Sequence, residues 1–194
     1  MKKHYAYIIL LFVLVSLFYS VQLFASEKSD AAALMKQCED GIKLLEVPIK
    51  NFGDEKDIAR FNEGANIIKL GKAKLAQAKY AEAKAKFNEY LTMQTELYKI
   101  LGEKYIKRTQ ELIDLISVEL ADYVSDAVVL EAFAKANHYL DAARTKMGEK
   151  DYPLAVASCR RSKKFLFDIY IQLKSALPDV YAKDNTDVKN EIFK

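Results

Sequence analysis

The chain has 194 residues, with 30 Lys and Arg against 27 Asp and Glu, two Cys, two His, no Trp, six Gly and three Pro. Its 51% apolar content suffices for a buried core, and a net charge of +3 is too small for a polyanion binder or an acidic disordered tail. So few Gly and Pro exclude an all-β chain, which needs a turn about every 8–12 residues, and two Cys exclude a disulfide-dense scaffold.

Met1-Lys2-Lys3 is a short basic start, and no charged side chain follows from Tyr5 to Ser26. A basic start, an apolar run over Ala6–Phe18 and the small Ala25 at its end describe residues 1–25 as a secretory signal cleaved after Ala25. An uncharged run of about 20 residues also suits an uncleaved anchor, which would hold the chain at the inner membrane through residues 6–25. No Cys follows the run directly, which argues against a lipoprotein. Both readings place the body outside the cytoplasm, periplasmic or secreted. Loss of Lys2 and Lys3 lowers the net charge from +3 to +1, and a near-neutral exported chain is a poor nucleic-acid binder.

The remainder reads as helices. A first one is expected over 30–46, capped by Ser29, stopped by Pro48, with Ala31, Leu34, Met35, Cys38, Ile42 and Leu45 inward. Asn51-Phe52-Gly53-Asp54 is turn chemistry. A second helix over 57–78 carries Ile58, Phe61, Ala65, Ile68 and Leu75 on one face. From Tyr80 a stripe at i+3 and i+4 steps continues to Tyr123, predicting a long central helix of about 67 Å with a bend at Gly102. Ser125-Asp126 caps a helix to Met147 with Leu130, Phe133 and Leu140 inward. Asp151 caps a last helix, with Pro153 in its first turn and Tyr152, Ala155, Cys159, Leu166 and Tyr170 buried. Residues 179–194 read as a polar tail beyond a helical domain of 26–178.

A shift of 72 residues lays Ile58 on Leu130, Phe61 on Phe133, Ile68 on Leu140, Tyr80 on Tyr152, Ala83 on Ala155 and Phe87 on Cys159. Two similar helical hairpins are the simplest account. Leu70-Gly71, Tyr80, Ala83 and Phe87 stand at spacings that make the hairpin similar to a tetratricopeptide (TPR) unit. The second copy keeps Tyr152 and Ala155, with Ala142-Ala143 for the Leu-Gly pair and Cys159 for the Phe. The resemblance covers 58–91 and 130–163, not contiguous at the family's period, with Ile67 where an aromatic is usual. It implies an all-α bundle of five or six helices with two TPR-like hairpins, and a role in binding protein or peptide.

Catalytic chemistry is sparse. His138 is the one histidine beyond the signal, on an expected helix flank, and there is no H-E-x-x-H, C-x-x-C-H or phosphate loop. Neither a metal site nor a cofactor is expected. Cys38 and Cys159 fall on inward stripes and read either as buried thiols or as a disulfide in an oxidising compartment, closing a loop of about 120 residues. The lysines between Lys69 and Lys86 read as a solvated helix face. Arg160, Arg161, Lys163 and Lys164 form a denser group suited to contacting an acidic partner. The resulting expectation is a non-enzymatic exported scaffold or adaptor that binds a protein in the cell envelope through those four residues. Its alternative is a small-molecule or lipid carrier with a cavity lined by Tyr80, Phe87, Tyr90 and Tyr152.

Overall fold

No proline interrupts residues 49–152, and Ala, Leu, Lys and Glu dominate there, so little opposes helix formation. The computed structural model describes residues 2–123 and 125–189, with side chains described from Ser26 onward. Among the described residues it holds six α-helices, two 3-10 turns and no strand, an all-α helical bundle. The helices are α1 (Lys2–Phe52), α2 (Glu55–Ala76), α3 (Tyr80–Glu119), α4 (Ala127–Gly148), α5 (Tyr152–Gln172) and α6 (Ala182–Lys189). The side chains of the expected signal or anchor segment, 1–25, lie outside the described residues. Among those described, no helix is long and apolar enough to cross a membrane.

Several boundaries differ from the sequence reading. Ser29 lies inside α1 and caps nothing, and Pro48 is also inside it. Proline removes one helical hydrogen bond, but burial of Leu45, Pro48 and Ile49 carries the helix through that loss. α3 passes Gly102 without a break. A Cβ there would stand 2.5 Å from the Met147 sulfur, so this glycine serves close packing. Ile58 and Leu130, expected inward, are 41% and 54% exposed. On α4 the buried stripe is Val129, Ala132, Ala136, Leu140 and Ala143, where small alanines rather than the largest side chains set the inward face.

Asp126 caps α4 by accepting from the Val128 N–H at 2.8 Å, and Asp151 caps α5 through the Leu154 N–H at 3.4 Å. At α2, Asp54 accepts from the Asp57 N–H at 3.0 Å while the Asp57 carboxylate accepts from the Asp54 N–H at 3.1 Å, a reciprocal cap. The two hairpin turns close alike. Ala78 and Lys150 both take positive φ, 56° and 63°. The Lys79 N–H donates to the Lys74 carbonyl at 3.0 Å, and the Asp151 N–H to the Lys146 carbonyl at 2.9 Å. These are Schellman-type closures at equivalent places in the 72-residue shift.

Two compact units divide the chain, one of Met1–Gly41 with Glu63–Thr92, the other of Ile42–Asn62 with Met93–Lys194. The first is filled by Ala31, Cys38, Ile67, Ile68, Ala83, Phe87 and Tyr90. The second has one cluster around Leu97, Leu101, Tyr105, Val156 and Cys159, and another around Leu112, Ile116, Leu140, Leu166 and Tyr170.

Two of the buried glycines, Gly71 and Gly102, make a paired prediction. A Cβ at Gly71 would meet the Phe87 ring at 2.5 Å, and that ring is fully buried. Gly71→Ala is expected to destabilise by about 1–3 kcal/mol through overpacking, offset only in part by better helix propensity. At Gly102 the neighbour is a flexible methionine, so Gly102→Ala is expected to be neutral or to stabilise by up to about 1 kcal/mol. Urea unfolding of the two variants checks the ordering.

Candidate functional site

The inward face of α5 steps through Val156, Cys159, Lys163, Leu166 and Tyr170, all buried. A lysine at a core position must find carboxylates, because a charge taken out of water without a partner is strongly unfavourable. α6 supplies them. The Lys163 Nζ donates to Asp184 Oδ1 at 2.7 Å and stands 3.7 Å from Asp187 Oδ2. It also lies 4.1 Å from the Phe52 ring centroid and 4.5 Å from that of Tyr105, within cation–π range.

Two arginines complete the slot. Arg108 of α3 donates from Nε and Nη2 to Asp184 Oδ2, at 3.0 and 2.9 Å. Arg160 of α5 donates from Nε and Nη2 to Asp187 Oδ1, at 3.1 and 2.8 Å, and the Tyr105 hydroxyl donates to the same oxygen at 2.6 Å. Burial opposes the Arg108 charge, and Asp184 together with Glu111, 3.4 Å from Nη1, outweighs it, so the guanidinium is held above its ordinary value. Burial, then the Asp187 charge, pushes the Tyr105 phenol well above its ordinary value and keeps it a donor. Beyond the slot, Glu119 accepts from the Tyr170 hydroxyl and, at 2.5 Å, from the Tyr181 hydroxyl.

The four expected partner contacts therefore separate. Lys163 is fully buried, and Arg160 shows only 11% of its side chain. As surface contacts both are corrected: they face inward because their helical positions do, and α6 pairs them. Arg161 is exposed with its guanidinium 5.8 Å from the Tyr139 ring, and exposed Lys164 pairs with Asp168 at 2.6 Å. Residues 179–189 are likewise no loose polar tail, since Tyr181, Asp184 and Asp187 are buried.

Cys38 and Cys159 are free buried thiols, and the Cys38 Sγ lies 3.6 Å from the Phe87 carbonyl. Burial, with Glu39 adding to it, pushes Cys38 up to about 11. Burial also pushes Cys159 up to about 11. Un-ionised thiols are weak nucleophiles and metal ligands. Phe87 and Tyr90 fill core, while Tyr80 and Tyr152 are half-buried. His138 is exposed on α4. Among the described residues no three His, Cys, Asp or Glu side chains are grouped to hold a metal.

Beside the slot an open cleft of about 370 Å³ is lined by Asn51, Phe52, Lys104, Lys107, Arg108, Glu111, Val180, Lys183 and Asp184. Lys104 is tied to Asp54 at 2.9 Å and Asp57 at 2.5 Å. Lys107 and Lys183 are exposed on its rim.

No protein-family model, curated protein or solved structure matches the chain.

Sequence reasoning missed Arg108, Asp184 and Asp187. The available signals were the i,i+3 acidic pair at 184 and 187 and a lysine standing on the apolar stripe of α5.

The phenols give a pH prediction. Burial first, then Glu119, raises Tyr170 and Tyr181 well above the ordinary value, as burial and Asp187 raise Tyr105. An unfolded tyrosine ionises near pH 10, before its folded counterpart does. The stability these groups contribute is full below that pH and is lost as pH rises towards the folded values. Melting temperature is expected to fall steeply above pH about 10, and less steeply in Tyr105→Phe than in wild type.

Proposed function

We propose that the chain is a non-enzymatic, exported adaptor built on TPR-like helical hairpins, which binds an acidic segment of a protein partner in the cell envelope. The observation that carries this is the cleft beside α6. Phe52 and the exposed Val180 line it beside Lys107 and Lys183, and its other two cations, Lys104 and Arg108, are already paired with Asp54, Asp57, Glu111 and Asp184. Two exposed lysines beside apolar side chains suit a peptide with acidic side chains next to an apolar one, and the rim charges would speed encounter and select partners by charge. The two matching hairpin turns support the TPR-like part of the reading.

In-cell photocrosslinking from a residue placed at 107 or 183 tests the adaptor role. The expected result is one dominant envelope protein, captured through an acidic segment and lost in a Lys107→Glu/Lys183→Glu variant crosslinked from position 180. Equal capture by that variant would sink the reading.

A further inference from the structure

The eight residues of α6 bury only two side chains, Asp184 and Asp187. A helix this short does not form alone in water, and α6 itself contributes only the partly buried Val188 to the apolar core. What holds it is charge: two carboxylates, one helical turn apart, meeting Arg108, Arg160 and Lys163. The fit is incomplete in one respect. Glu111 adds a third acid by pairing with Arg108 at 3.4 Å, but the buried Asp187 Oδ2, 3.7 Å from the Lys163 Nζ, has no hydrogen bond. A non-helical link separates α5 from the turn before α6, so the helix can leave without unwinding α5.

We propose that the slot formed by Arg108, Arg160 and Lys163 is a docking site for an acidic helical segment of a partner protein with carboxylates at i and i+3, and that α6 occupies it as an internal stand-in which the partner displaces. The inference rests on the adaptor reading and deepens it, naming the shape of the acidic element recognised. Any helix with the same two acids can reproduce the bidentate arginine contacts and the lysine contact. One that brings the second carboxylate oxygen at i+3 within hydrogen-bond distance of Lys163 binds better than α6. Tyr181, held to Glu119, keeps the displaced segment close for return.

The test uses the full chain and a fluorescein-labelled peptide of residues 179–189. In Asp184→Asn/Asp187→Asn, α6 no longer neutralises the slot, and the peptide is expected to bind at least tenfold more tightly than to wild type. A peptide with both aspartates changed to asparagine is expected not to bind, and binding is expected to weaken with salt. Equal, weak binding by the folded variant and wild type would overturn the proposal while leaving the crosslinking test of the adaptor role intact. A concentration-dependent wild-type dimer that vanishes in the double variant would also overturn it, because a second copy's α6 would then be the occupant. If the variant fails to fold, hydrogen exchange of wild type decides. Exchange of α6 amides while α5 stays protected supports displacement, and exchange of α6 only together with α5 overturns it.

Discussion

Asp187→Ala is expected to free α6. The substitution leaves Arg160, Lys163 and the Tyr105 hydroxyl facing a methyl group inside the protein, where Asp187 had met all three. Removing one partner of a buried ion pair costs about 3–5 kcal/mol, and α6 has only the partly buried Val188 to set against that cost. The helix should therefore come off and let the cations reach water. Amides of α6 are expected to lose protection from exchange by about a hundredfold or more, the factor that 3 kcal/mol implies, while α5 keeps its own. The exposed pair Lys135 and Glu131 provides the contrast. Glu131→Ala is expected to leave the denaturant midpoint unchanged, because solvent screens such pairs and side-chain entropy opposes them.

Phe87→Ala should give the largest loss in the first unit. The ring is fully buried, and its edge lies where a side chain on residue 71 would be, so α2 and α3 approach closely only because one position is Gly and the other Phe. Truncation removes the apolar surface and leaves a hole that the helices cannot easily close, at about 3–5 kcal/mol. Phe133, its counterpart in type on α4, is only half-buried, and Phe133→Ala should cost clearly less. Denaturant midpoints of the two variants settle the comparison, and a loss below about 1 kcal/mol for Phe87→Ala would mean the hairpin is loosely packed.

The helical class and most boundaries after residue 50 were legible because they rest on local chemistry. Asp126 and Asp151 cap where a short acidic side chain precedes an apolar period, and the turns at Ala78 and Lys150 close through backbone hydrogen bonds over a few residues. Pro48 was misread because the intrinsic penalty of proline is local, whereas the burial that overcomes it is tertiary. The ion-pair slot was hidden for a related reason. Arg160, Arg161, Lys163 and Lys164 look alike as a charge cluster, yet each helical step turns the side chain through about 100°, so neighbours in sequence end on opposite sides. Lys163 falls on the core stripe, and Lys164 on the solvent side. The four-residue step from Cys159 puts Lys163 on the core stripe, although the charge cluster reads it as a surface contact; its partners, 21 and 24 residues further on in what reads as a tail, could not be inferred from α5 itself.

The central claim is that Lys163 lies sealed beneath α6 in a slot built for acids. Amine-reactive labelling of the folded full chain, read lysine by lysine by mass spectrometry, tests it most directly. The account predicts rapid labelling at Lys107 and Lys183, none at Lys163 on that timescale, and labelling of Lys163 once Asp184→Asn/Asp187→Asn releases α6. Labelling of Lys163 in the wild-type chain as fast as Lys107 would contradict it.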